Sequence, residues 1–154
     1  MPEPNDAPEI RIITATTPDE LAEAMAIRFI VFVDEQKVPA DLEPDEFDDS
    51  AQHLLATDPD GAAIATARIV DKGEGKGKIG RVAVLSAWRG HGIGNALMQY
   101  ALTEMKRRGF RLAFLDAQLY VIPFYERLGF VAEGPVFDDA GIDHRRMTLP
   151  LTVD

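Results

Sequence analysis

The sequence predicts an α/β fold of the α+β kind, a mixed sheet covered by helices. Three observations carry this expectation. Strands and helices alternate through the middle of the chain. Hairpin-like pairs of strands stand at both ends. RLAFLDA (111–117) is a nearly continuous apolar strand, the pattern of a sheet covered on both faces. No internal repeat and no linker interrupts the order. Residues 1–8 are expected to form a disordered tail, and residues 9–154 a single domain.

EIRIITA (9–15) is β-branched and strand-like. In the segment that follows, Thr17 and Glu20 have capping-box spacing and Pro18 takes the first helical position. Leu21, Ala24, Met25, Arg28, Val31 and Phe32 keep a helical period, so one amphipathic helix is expected as far as Glu35. Residues 34–50 are rich in proline and acid and read as a loop or short helix. HLLAT and AAIATARIV flank Asp58-Pro59-Asp60-Gly61, where proline second and glycine fourth suit a type I turn and a β-hairpin. GEGKG (73–77) is a turn that lacks the hydroxyl and the spacing of a P-loop. KIGRVAVL (78–85) is a strand. After it, Ala96, Leu97, Tyr100, Ala101 and Met105 form the apolar stripe of a helix that Gly109 stops. VIPFYERLG (121–129) is a short helix ending at Gly129. FVAEG and HRRMTLPL close the chain as a hairpin around Asp138-Asp139-Ala140-Gly141.

Composition narrows the function classes. Hydrophobic content of 46% and charged content of 27% fit an ordinary soluble globular protein. The chain has no cysteine, so it builds neither a disulfide framework nor a thiolate zinc site, which fits a cytoplasmic location. No apolar run approaches membrane-spanning length, and the acidic N-terminus lacks the order of a signal peptide. A net charge of −10 disfavours nucleic acid as a partner. The charge is unevenly spread. Residues 1–67 hold 16 acidic against 3 basic residues, residues 68–111 hold 3 against 10, and residues 112–154 hold 7 against 3. The basic third contains WRGHGIGNALM (88–98), with three glycines in five positions.

A strand, a short loop and glycines opening a helix form an anion-binding arrangement. The first helical turn leaves its N–H groups unpaired at the positive end of the dipole. Glycines let a phosphate approach those groups with no Cβ in the way. Arg89 adds a charge, and His91 adds a donor. A dinucleotide fold fits poorly, because the G-x-G-x-x-G spacing and an acidic residue about 20 positions later are both missing.

Arg89-Gly90-His91-Gly92-Ile93-Gly94 resembles the R/Q-x-x-G-x-G/A signature of the GNAT (GCN5-related) N-acetyltransferases. Val82-Ala83-Val84 stands where that family places a splayed strand, and FYERLGF (124–130) is similar to its later tyrosine motif. Phe32-Val33-Asp34-Glu35-Gln36 resembles small bacterial members. The resemblance implies a GNAT fold: a mixed, mostly antiparallel sheet of six or seven strands, splayed at the acetyl-CoA site and flanked by about four helices. It implies acetyl transfer from acetyl-CoA to a primary amine by direct attack. Backbone from Arg89 to Gly94 would hold the pyrophosphate. Val82, Ala83 and Val84 would hold pantetheine and polarise the thioester carbonyl, as an oxyanion donor does. Tyr125 would protonate the departing thiolate.

Two positions depart from the family pattern. Gln118 stands where many members have an asparagine that contacts pantetheine. Lys78 stands where many carry a carboxylate base. The base is therefore sought in the acidic stretch 41–53, with Glu43 and Asp45 foremost, Glu35 and Asp48 beside them, and His53 read as structural. That stretch would also attract a cationic amine acceptor. No metal, nucleic acid or membrane is expected as partner, and a homodimer is left open. The alternatives are a non-catalytic acyl-CoA sensor, against which Tyr125 weighs, and an unrelated nucleotide-binding enzyme, against which the missing P-loop lysine–hydroxyl pair weighs.

Overall fold

The computed structural model describes residues 9–40, 45–139 and 141–151. The expected tail 1–8, Glu43 and the last three residues lie outside the described residues. Seven strands form one sheet in the order β1-β2-β3-β4-β5-β7-β6. They are β1 (Arg11–Thr14), β2 (Gln52–Thr57), β3 (Ala63–Asp71), β4 (Lys76–Val84), β5 (Leu112–Gln118), β6 (Val131–Asp139) and β7 (Ile142–Pro150). Only β4 and β5 run parallel; every other neighbouring pair is antiparallel.

Three α-helices are present among the described residues, not about four: α1 (Pro18–Arg28), α2 (Ile93–Arg107) and α3 (Ile122–Arg127). The capping box forms as read. The Glu20 N–H donates to Thr17 Oγ1 at 3.1 Å, and the Thr17 N–H donates to Glu20 Oε1 at 3.2 Å. The long first helix, however, changes register. Phe29–Glu35 is a π-helical segment, with the Gln36 N–H reaching back five residues to Val31 O at 3.1 Å. The wider turn brings Phe32, Glu35 and Gln36 to the sheet's central cleft.

The β2–β3 hairpin turns at Asp58–Gly61, where the Gly61 N–H donates to Asp58 O at 2.9 Å. Helix α2 covers one face of the sheet. Leu97, Met98 and Met105 are fully buried there, each contributing about 1.5–3 kcal/mol of apolar burial. Gly77 sets how closely α2 lies on β4. A Cβ at Gly77 would stand 2.4 Å from Met105 Cε and 3.1 Å from the Phe110 ring. The other face is packed by Ala24, Ile27 and Val31 against Leu55 and Ala83.

Below that clamp the parallel pair holds for three residues, Lys76–Lys78 against Leu112–Phe114, and then separates. Strand β4 follows β3 through a bulge between Thr66 and Arg68, opposite which Arg81 takes φ +52°. Strand β5 follows β7 as far as Gln118. A bulge twists its strand locally, so β4 turns away from β5 and leaves a backbone edge unpaired. The sheet is splayed at its centre, as the resemblance implied.

Candidate active site

The splay opens a cleft of about 1050 Å³. Its sides are Ile79–Val84 of β4 and Leu115–Gln118 of β5. Gly90, Gly92, Ile93, Gly94 and Asn95 form its head, and Tyr125 stands in its wall. Val82, Ala83 and Val84 thus present main chain along an edge that no strand occupies among the described residues.

The glycine cluster is built as an open helix end. Gly90 and Gly92 have φ +82° and +79°, and Gly92 is the N-cap of α2 with no side-chain capping bond. The first-turn N–H groups therefore remain for a ligand. A Cβ at either glycine would meet nothing within 4 Å. Ile93 is buried and anchors the first turn.

Two of the expected cofactor contacts have partners already. Arg89 donates from Nε to Val84 O at 2.9 Å and from its guanidinium to Glu35 Oε1 at 2.6 Å. Gln118 Nε2 donates to Gln36 Oε1 at 2.9 Å. The π-helical segment thus reaches both cleft walls, which its motif alone does not reveal. His91 is exposed and meets the Trp88 ring edge at 6.1 Å between centroids; the cleft wall passes from Gly90 to Gly92 without it.

Tyr125 is 9% exposed, with Phe124 and Phe130 packed edge-on against it at 5.0 and 6.0 Å. Burial, helped by Tyr120, pushes its phenol up to about 12. It therefore keeps its proton throughout the physiological range and is available as a donor.

The acidic stretch does something other than expected. Asp45 does not line the cleft. It takes two bonds of 2.6 Å from Arg68 and one of 3.2 Å from Arg81. The Arg68 hydrogen bonds hold its carboxyl below the usual range against the effect of burial, so it is a poor proton acceptor. Asp48 bridges Arg28 at 2.7 Å and Arg68 at 2.7 Å. Burial works to raise its pKa, but the Arg28 hydrogen bond and its neighbours prevail and depress it strongly. These carboxylates lock α1 to β3 and fix the bulge at Arg81. Asp45 is thus held as an ion-pair partner of Arg68 and Arg81, away from the cleft wall. Acids in a proline-rich loop look alike in sequence whether they meet solvent, substrate or three arginines from a helix and two strands. His53 is buried on β2 and donates from Nε2 to Asp48 O at 2.9 Å, the structural role expected.

The cleft wall also carries Lys78, noted above, together with Asp116 and His144, which the sequence reading did not single out. Lys78 Nζ lies 3.2 Å from Asp116 Oδ2, and Arg146 Nε lies 2.6 Å from Asp116 Oδ1. Asp116 is half-buried, which opposes ionisation, yet these two cations hold its pKa low. His144, at the start of β7, also lines the cleft. A histidine in a strand is visible in the sequence, but only the pairing of β7 between β5 and β6 brings it here.

An unpaired strand edge, an uncapped helix end and a buried tyrosine thus line one cleft. Residues 16–151 match the family model for the acetyltransferase (GNAT) domain, and the chain belongs to that family. It is 34% identical over 140 residues to the uncharacterized N-acetyltransferase YjcF of Bacillus subtilis, covering 90% of this chain and 98% of that one. Among solved structures it is similar to an acyl-CoA N-acyltransferase from Pseudomonas aeruginosa. That match has a TM-score of 0.80 and 35% identity, with 91% and 97% of the two chains covered. It is also similar to Escherichia coli ElaA, with a TM-score of 0.79, 28% identity and the same coverage. Acyl transfer is the general activity of this family.

Proposed function

We propose that this protein transfers an acetyl group from acetyl-CoA to a primary amine by direct attack in a ternary complex. The observation that carries the reading is the continuity of the cleft. An uncapped helix end for the pyrophosphate leads into an unpaired β4 edge for pantetheine and ends at the Tyr125 wall. Amides of Gly90–Gly94 would bind the phosphates. Backbone of Val82 and Val84 would pair with the pantetheine amides. An N–H beside the Arg81 bulge would polarise the thioester carbonyl as negative charge develops on its oxygen. Gln118 would exchange Gln36 for a pantetheine amide. Tyr125 would give its proton to the departing thiolate. The chain has no cysteine to carry an acetyl thioester of its own, which supports direct attack over an acyl-enzyme route.

The test is CoA release from acetyl-CoA, followed with a thiol reagent across a panel of primary amines. Intersecting initial-rate lines are expected on varying both substrates. CoA binding with no turnover on any amine would favour the non-catalytic sensor, and parallel lines would refute direct attack.

A further inference from the structure

An amine acceptor arrives protonated. With an ordinary amine pKa of about 10.4, about one molecule in 2,500 is neutral at pH 7, so a base near the cleft is chemically useful. The carboxylates that share the cleft are poor candidates. Asp116 is held by Arg146 and Lys78, and Glu35 by Arg89. Asp139, at the end of β6, is exposed to solvent.

His144 differs in three respects. It is 8% exposed, yet it belongs to the cleft wall. Its Nδ1 lies 2.7 Å from Ile142 O. A carbonyl oxygen only accepts, so Nδ1 must carry the hydrogen, and Nε2 keeps the lone pair in the neutral ring. Finally, Nε2 has no partner among the described residues and is not sealed in. The buried, unpartnered side-chain atoms there are Gln52 Oε1 and Arg68 Nε alone. The ring is fixed by stacking on Phe137 at 6.0 Å and 24°. On the neighbouring strand its register partner is Gln118, about 5 Å away in the hydrogen-bonding direction. A base whose tautomer is set by one hydrogen bond, with its other nitrogen unpartnered and the residue in the wall of an open cleft, is how imidazole is prepared for proton abstraction.

We infer that His144 is the general base that deprotonates the acceptor amine. This deepens the acetyltransferase reading above and rests on it. Nε2 takes one proton from the ammonium. The freed nitrogen lone pair forms the C–N bond at the thioester carbonyl, and the C–S bond breaks as the tetrahedral intermediate collapses. The thiolate receives a proton through Tyr125, which recovers one from the amide-forming nitrogen. The proton on His144 passes to solvent. The charged and titratable groups that line the same cleft are Glu35, Lys78, Arg81, Arg89, Asp116, Tyr120, Tyr125 and Asp139, and Arg146, two residues further along β7, pairs with Asp116.

The experiment measures kcat/KM for the best amine from about pH 5.5 to about pH 9.5 in wild type, His144→Gln, His144→Asn and Asp139→Asn. His144→Asn retains an amide N–H able to donate to Ile142 O, so the local turn survives while the base is lost. Wild type should show an acid limb. Both His144 variants should lose that limb and fall about 10²-fold at pH 8, with little difference from wild type at the acid end. Their affinity for acetyl-CoA should be unchanged. Asp139→Asn should retain the limb. A limb preserved in either folded His144 variant, a uniform fall at every pH, or a limb lost in Asp139→Asn instead overturns the assignment. A wild-type protein that acetylates no amine overturns the proposed function and this inference with it. An active wild type with an unmoved limb in the His144 variants overturns this inference alone.

Discussion

Replacing Gly92 with aspartate puts a carboxylate at the mouth of the α2 helix end, where the CoA pyrophosphate is proposed to sit. The fold should tolerate it. A Cβ there meets no atom within 4 Å, and aspartate enters the left-handed region more readily than most residues, so the conformational cost is about 1 kcal/mol. The ligand should not tolerate it. A pyrophosphate with about two negative charges at about 5 Å from the new carboxylate is opposed by about 2 kcal/mol in bulk water and about 7 kcal/mol at a surface dielectric near 20. The lower figure corresponds to about 30-fold in affinity and the upper to about 10⁵-fold. Gly92→Ala carries the backbone strain without the charge and should lose no more than a few-fold. The assay is calorimetric titration of CoA into the three proteins, with circular dichroism to verify folding. Wild-type affinity in a folded Gly92→Asp protein would refute phosphate binding at this helix end.

Three further outcomes follow from contacts in and around the cleft. Tyr125→Phe should lower kcat by about 10²-fold with acetyl-CoA affinity kept. Because burial pushes the Tyr125 phenol up to about 12, the shape of the pH–rate profile between about pH 8 and about pH 10 should be the same in both proteins, and a basic limb abolished by the substitution would refute this. Glu35→Gln should free Arg89 for the ligand and tighten CoA by up to about 5-fold, the range of an exposed ion pair worth under about 1 kcal/mol; weaker binding by calorimetry would show that the pair positions the loop instead. Asp48→Asn removes the carboxylate that bridges Arg28, 1% exposed, and Arg68, and should cost about 3 kcal/mol at neutral pH by urea unfolding. The folded pKa of Asp48 is depressed, so its contribution is full above the ordinary carboxylate value of about 3.9 and fades as pH falls below it. The stability gap between wild type and variant should therefore narrow below about pH 4, and a gap that widens on acidification would contradict the ion-pair assignment.

Local signals in the chain determined most of its elements. The Thr17–Glu20 box, the Asp58–Gly61 turn, the stripe of α2 and the glycines at its start are each written in residues a few positions apart, and short-range chemistry suffices to read them. The same holds for Tyr125 within its motif. Only the tertiary structure decided how the charges pair. Asp45 and Asp48 find Arg28, Arg68 and Arg81 across 20 to 36 positions of chain, and Glu35 finds Arg89 across 54. A carboxylate is identical in sequence whether it faces solvent or a buried guanidinium, so its availability as a base is fixed by the partner that folding supplies. The π-helical register of Phe29–Glu35 likewise differs from the single α-helix that its local pattern suggests. His144 reaches the cleft because β7 inserts between β5 and β6, an order of strands that no local pattern encodes.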